Sequence, residues 1–158
     1  MIKQVLTLAA LAAFSAGALA DNCTAEVHGT KSFAQGYLDG ANKKIEELVV
    51  PKSCKSFTIN LTHSGTAKDS PKTTMGHNIV IAKADDIKGI AKDGVKAGIK
   101  NDYIKADDKR IVAKSAMIGG GEKTSVTFDP SKIAATGYDG FCTFPGHEAL
   151  MRFKIAVK

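Results

Sequence analysis

Cys142, His147 and Met151 place a thiol, an imidazole and a thioether within ten residues of one another, in the stretch Phe141-Cys142-Thr143-Phe144-Pro145-Gly146-His147-Glu148-Ala149-Leu150-Met151. Pro145-Gly146 is a turn dipeptide, able to reverse the chain and return His147 toward Cys142. A thiolate with two imidazoles in a trigonal plane and a long axial thioether is the ligand set of a redox-active copper centre. Three of those four donors are present here. The second imidazole must come from His28, His63 or His77.

The compartment bears on the thiol. Residues 1–20 have the pattern of an export signal: Lys3, an apolar run from Val5 to Phe14, then small residues at Ala18 and Ala20. The run is too short to span a bilayer comfortably, and no Cys stands at the cleavage point to take a lipid. The expectation is a cleaved signal peptide, 1–20, and one domain, 21–158, long enough to bury a core and not inserted in a membrane. Without Lys3, 21 Lys+Arg face 16 Asp+Glu, a net charge of +5. The lysines are scattered among acidic residues and no nucleic-acid motif accompanies them, so nucleic-acid binding is not expected. Steering of an acidic protein partner remains compatible with that charge.

Three cysteines in an exported chain leave one over. Cys23 and Cys54 have no His or Met beside them, whereas Cys142 stands among other ligand types. That favours joining Cys23 to Cys54, although three pairings are open. The plain alternative for Cys142 is a small buried apolar residue. An unprotected thiol is a liability under oxidising conditions, which favours metal ligation.

The elements that must position these donors are short strands. Cys23, Ala25 and Val27 alternate with polar residues, turning His28 outward. Residues 31–42 have no period and read as a loop. Leu48-Val49-Val50 is a strand ended by Pro51. Phe57, Ile59 and Leu61 alternate with Thr58, Asn60 and Thr62, and His63 continues the inward phase. Residues 64–74 are turn-rich, and Asn78-Ile79-Val80-Ile81-Ala82 is a mostly apolar strand. Ile87, Ile90, Ala91 and Val95 fall at helical spacing after Asp85 and Asp86, giving one short helix weakened by Gly89 and Gly94. Ile111-Val112-Ala113 and Val126/Phe128 are further strands. Gly119-Gly120-Gly121 reads as a flexible turn, because it lacks the Lys-Ser/Thr and helix of a phosphate loop. Met151, Phe153, Ile155 and Val157 form one face of a last strand. About eight short strands with one inserted helix indicate an all-β, eight-stranded Greek-key β-sandwich.

His28 reads as solvated and His63 as a buried structural histidine. His77, in Met75-Gly76-His77-Asn78, stands at a turn leading into an apolar strand. In a sandwich that strand start can share an end with the Cys142–His147 loop.

At this point the chain resembles the azurins, periplasmic blue-copper proteins of cupredoxin fold. The resemblance runs through Lys52-Ser53-Cys54-Lys55, Phe57-Thr58-Ile59-Asn60-Leu61-Thr62-His63, Met75-Gly76-His77-Asn78, Gly121-Glu122-Lys123, Ser125-Val126-Thr127-Phe128-Asp129 and Phe141-Cys142-Thr143-Phe144-Pro145-Gly146-His147. It implies one type 1 copper held by His77, Cys142 and His147, with Met151 axial and the Gly76 carbonyl opposite. It also implies backbone N–H bonds from Asn78 and Phe144 to the Cys142 sulfur, an Asn78 side chain tying the two ligand loops, and a Cys23–Cys54 disulfide. His63 matches a histidine near the site that does not bind copper. The implied function is one-electron transfer in the periplasm by a monomer. Its transient partners would be a c-type cytochrome and a periplasmic reductase or peroxidase. It would not be an enzyme. The alternative from another class is a copper carrier or storage protein without a redox role.

Several positions depart from the azurin pattern. The Cys23–Cys54 and His63–His77 segments are long, Ile79 replaces a tryptophan, Gly140 replaces a bulky residue, and Glu148 follows His147. An apolar collar of Met75, Phe144, Pro145, Gly146, Ala149 and Leu150 is expected around the edge of His147.

Overall fold

The computed structural model describes residues 23–158, so the export signal expected at 1–20 lies outside the described residues. Eight strands form two sheets: β1 (Thr24–Gly29), β2 (Glu47–Val50), β3 (Phe57–His63), β4 (Val80–Lys83), β5 (Ile111–Lys114), β6 (Lys123–Phe128), β7 (Tyr138–Phe141) and β8 (Arg152–Val157). One sheet has the order β1-β3-β6 and the other β2-β8-β7-β4-β5. β1 with β3 and β2 with β8 run parallel; the remaining pairs are antiparallel. The Greek-key sandwich expected from the alternating pattern is the one observed.

The alternation explains the layers. Phe57, Ile59 and Leu61 on β3 and Val126 and Phe128 on β6 turn inward, against Leu48, Val50, Ile81, Phe153 and Ile155 of the larger sheet. Each such side chain contributes roughly 1.5–3 kcal/mol through removal from water. β4 is apolar on both faces for a structural reason. Ile79 and Ile81 enter this core, while Val80 and Ala82 lie under the helix α2 (Ile87–Ala97), with Ile87, Ile90, Ile104 and Phe141. One further turn of helix, α1 (Lys72–Met75), precedes His77 within the stretch read as turns.

Val95 is a correction. Its spacing pointed to the core, yet it is 54% exposed. The helix instead buries Gly94, where a Cβ would come within 2.0 Å of the Tyr103 carbonyl oxygen. That close approach rolls Val95 outward.

β7 escaped the sequence pattern because Asp139 and Gly140 are poor strand formers. Asp139 is buried and accepts from Arg152 Nε at 2.9 Å across the β7–β8 pair. Gly140 is small because the Phe153 ring, opposite it in register, fills its space: a Cβ would lie 2.4 Å from Phe153 Cζ. The run Gly119-Gly120-Gly121 is also packed rather than free. Gly119 and Gly120 are buried against the backbones of Lys72 and Thr66.

The Cys23–Cys54 disulfide is present, joining the start of β1 to the turn before β3, and Cys142 is the free cysteine. Both halves of the disulfide lie at the opposite end of the sandwich from His63 and His77, since β1 and β3 run parallel toward the histidines.

Candidate metal centre

His77 is positioned by its backbone. Its N–H donates to the Ile118 carbonyl at 2.9 Å and its carbonyl accepts from the Ile118 N–H at 2.8 Å. Glycines on both sides make room. A Cβ on Gly29 would lie 2.6 Å from His77 Cδ2, and one on Gly76 would lie 2.5 Å from the Lys72 carbonyl and 2.9 Å from Met117 Sδ. The His77 ring stacks on His63, with centroids 4.3 Å apart and planes at 11°.

The hydrogen bonds fix both tautomers. Gly65 N–H donates to His63 Nδ1 at 3.1 Å, so His63 Nε2 carries the proton and donates to the Met75 carbonyl at 2.9 Å. Both nitrogens of His63 are therefore engaged. His77 Nε2 donates to the Thr30 carbonyl at 2.7 Å, which leaves a lone pair on Nδ1. That Nδ1 is buried without a hydrogen-bond partner. An imidazole whose outer nitrogen is anchored and whose inner nitrogen is unpaired is arranged as a metal ligand is.

Cys142 and His147 come from the loop between β7 and β8. The loop is closed by its own backbone: Cys142 N–H donates to the Met151 carbonyl at 3.0 Å, and Met151 N–H to the His147 carbonyl at 2.8 Å. Cys142 Sγ lies 3.7 Å from His147 Nδ1 and 3.9 Å from the Gly76 carbonyl oxygen. Two donors at ordinary metal–N and metal–S lengths, 120° apart around one ion, are separated by about 3.8 Å. The donor atoms of His77, Cys142 and His147 all lie within 4.8 Å of one another, and all three residues are buried. Met151 is fully buried in the same core cluster as Cys142.

Burial sets the protonation states. It lowers His77 to about 4, against the opposing hydrogen bond to Thr30 and assisted by the proximity of His63. It lowers His147 to about 4 as well, with His77 and His63 adding to the effect. Both imidazoles are thus neutral near pH 7, with lone pairs available. Burial pushes the Cys142 thiol up to about 11, while backbone N–H bonds from Asn78 and Phe144 and the nearby Tyr37 hydroxyl oppose it. Negative charge on this sulfur has donors waiting for it but no cation acting on it among the described residues; a metal ion would supply one.

Asn78 ties the His77 segment to the Cys142 loop. Its Oδ1 accepts from the Thr143 N–H at 2.9 Å and its Nδ2 donates to Thr143 Oγ1 at 2.8 Å. Thr143 Oγ1 donates onward to the Asp102 carbonyl at 3.0 Å.

Two aromatic residues were not foreseen. Tyr37 is fully buried, and its hydroxyl donates to the Asn78 carbonyl. Phe33, on a single 3₁₀ turn (Phe33–Gln35), stacks face to face on His147. Both belong to residues 31–42, within the long segment between Cys23 and Cys54, which read as a loop because they have no period. Aromatic residues within that loop were the available signal. His28 is half-exposed on β1, away from the three converging donors. Of the expected collar, Pro145, Gly146, Ala149 and Leu150 are exposed, and Met75 and Phe144 half-buried, whereas His147 itself is only 3% exposed.

A Greek-key sandwich with two neutral imidazoles and a buried thiol converging at one end defines a metal-binding protein of the blue-copper class. Comparison with known proteins narrows the class. Residues 41–158 match the copper binding proteins of the plastocyanin/azurin family. The azurin of Bordetella pertussis is 47% identical over 154 residues, covering 96% of this chain and 95% of the relative. That of Pseudomonas aeruginosa is 40% identical, covering all of both chains. The structure of an azurin (Az-iso2) from Methylomonas sp. strain J superposes with a TM-score of 0.75 at 37% identity, covering 87% of this chain and 98% of that one. The chain belongs to the plastocyanin/azurin family of copper-binding proteins. Its metal is copper, and its class of activity is that of the blue-copper electron carriers.

Proposed function

We propose that this chain is exported to the periplasm by a cleaved signal, 1–20, and works there as a single domain, 21–158, carrying one electron at a time between redox proteins. In this reading His77 Nδ1, Cys142 Sγ and His147 Nδ1 would hold the copper, with Met151 and the Gly76 carbonyl as weaker donors. Bound copper supplies the one-electron Cu(II)/Cu(I) couple.

The protein's own groups do the rest. The carrying observation is the convergence of the three donors with a buried, unpartnered His77 Nδ1. The amides of Asn78 and Phe144 hydrogen-bond the sulfur, and the Asn78–Thr143 bonds hold the ligand segments in one geometry. A site held rigidly by buried elements changes little between redox states. Four side-chain donors leave no open position for a substrate, which favours a carrier over an enzyme. A storage protein has to release metal readily, and deep burial of all three donors works against that. The transient partners are a c-type cytochrome and a periplasmic reductase or peroxidase, met by the monomer. Among the described residues no helix is long and apolar enough to cross a membrane.

The test is the visible spectrum of the Cu(II)-loaded protein before and after mild reduction. An intense blue thiolate-to-copper band, reversibly bleached, is the expected result; a pale spectrum removes Cys142 from the ligand set and the carrier reading with it. Met151→Ala should keep the blue band but shift the reduction potential. An unchanged potential counts against Met151 as a donor to the copper.

A further inference from the structure

The two most exposed large apolar side chains among the described residues lie beside the ligand loop. Val95, 54% exposed, lines a shallow groove with Lys88, Lys92, Pro145, Gly146 and Glu148, and Leu150, 44% exposed, is three residues past His147. One wall of the groove is helix α2. Lys88, Lys92 and Lys96 recur every fourth residue on it, so they form one stripe along the helix. All three are exposed, and among the described residues none is within ion-pairing distance of an acidic group.

The acidic groups nearby do not cancel the stripe. Asp93, on the same helix, is paired with Arg110 Nη2 at 2.7 Å. Asp85 and Asp86 sit in the turn before the helix. Glu148 faces the groove from the ligand loop as one carboxylate against the two lysines that line it. An apolar strip next to the metal ligand, flanked by unpaired cations, matches the surface of a transient complex: contact close to the redox centre, charge at the rim for steering.

We propose that the groove between α2 and the loop Pro145–Glu148 is the docking surface for a redox protein with a carboxylate-rich rim around its own redox centre. The proposal rests on the carrier reading above. The placement beside the ligand loop favours a redox protein over an anionic membrane, which has no electron to exchange.

The test uses the intact copper(I)-loaded protein and two small oxidants of opposite charge. Hexacyanoferrate(III) takes one electron from the protein and becomes hexacyanoferrate(II), with no bond or proton change. Tris(phenanthroline)cobalt(III) does the same as a cation. For the parent protein, the hexacyanoferrate(III) rate should fall as ionic strength rises, and the cobalt rate should not. The triple variant Lys88→Glu/Lys92→Glu/Lys96→Glu should lose about tenfold or more in hexacyanoferrate(III) rate at low salt, with its blue band intact. A control reversing three exposed lysines at the disulfide end, Lys52→Glu/Lys55→Glu/Lys132→Glu, makes the same change in net charge. It should lose less than about twofold.

Equal losses in the two variants would mean that net charge alone acts, and would overturn the proposal. So would salt-independent rates, or loss of binding to phosphatidylglycerol vesicles in the helix variant with its hexacyanoferrate(III) rate unchanged, which would assign the stripe to a lipid surface. No bleachable blue band in the parent would overturn the carrier reading itself, and the docking proposal with it. A blue, reducible protein with indifferent lysines overturns only the docking surface.

Discussion

The phenyl ring of Phe33 lies face to face with the imidazole of His147, centroids 4.6 Å apart and planes at 11°, while Phe144 meets the same imidazole at 4.6 Å and 34°. His147 is thereby nearly closed off from solvent, although it sits on the loop nearest the surface. Removing this cover lets water approach the ligand and favours the more highly charged oxidised state. Phe33→Ala should therefore lower the reduction potential while the blue band survives. Voltammetry of Phe33→Ala beside Phe33→Leu checks it, since leucine keeps the apolar cover without the ring and should restore much of the shift.

The difference between what the sequence showed and what it hid is physical. Cys142 and His147 were legible because they are close in sequence and a Pro-Gly turn explains their return. The Greek-key sandwich was legible because half-buried strands alternate, as Phe57, Ile59 and Leu61 do. His77 was legible as a candidate because it stands at a turn leading into an apolar strand, whose start can share an end of the sandwich with the Cys142–His147 loop, and the resemblance supported that choice. Phe33 and Tyr37 were hidden because an aperiodic loop carries no register by which to place a side chain. β7 was hidden because its Asp139 and Gly140 answer to Arg152 and Phe153, partners on another strand. Val95 misled because helical spacing gives a face but not the close approach of Tyr103 that decides which residues fill it.

Asn78 and Thr143 hold the two ligand segments together through a buried pair of hydrogen bonds at 2.9 and 2.8 Å. Truncating one partner leaves buried polar groups unsatisfied, at a cost of about 1–3 kcal/mol. Asn78→Ala should therefore lower the urea midpoint and loosen copper, seen as faster loss of the blue band to a chelator. Thr143→Val should do less, because the Thr143 N–H to Asn78 Oδ1 bond is retained. A double-mutant cycle should give a coupling of about 0.5–3 kcal/mol between the two. Additive effects would mean that the pair is not a unit.

The disulfide acts at the other end of the molecule. It closes a separation of 31 residues between Cys23 and Cys54, which in the chain-entropy account is worth about 2–4 kcal/mol. Cys23→Ala/Cys54→Ala should lower the melting temperature, yet leave the blue spectrum and reduction potential unchanged. Differential scanning calorimetry and voltammetry on one sample separate the two. A shifted potential would show that the Tyr37 and Phe33 segment, which the disulfide helps to close, depends on it for its placement over the metal centre.

Stability of the metal-free protein should depend on pH between about 4 and 6.5, because His77 and His147 are both lowered to about 4 by burial. In this window the unfolded chain binds protons that the folded one does not, so stability rises with pH. The contribution is present above the ordinary histidine value of about 6.5 and is lost as pH falls toward 4. For His77 alone the full contribution is on the order of 3 kcal/mol. Urea titrations of the metal-free protein at pH 7 and pH 5 should show the lower midpoint at pH 5, and His77→Asn should flatten the difference. Copper should change the pattern, since a metal on both imidazoles competes with protons and extends the stable range toward lower pH. Equal midpoints at the two pH values without metal would mean that the imidazoles reach water freely, contrary to the burial and stacking that hold them.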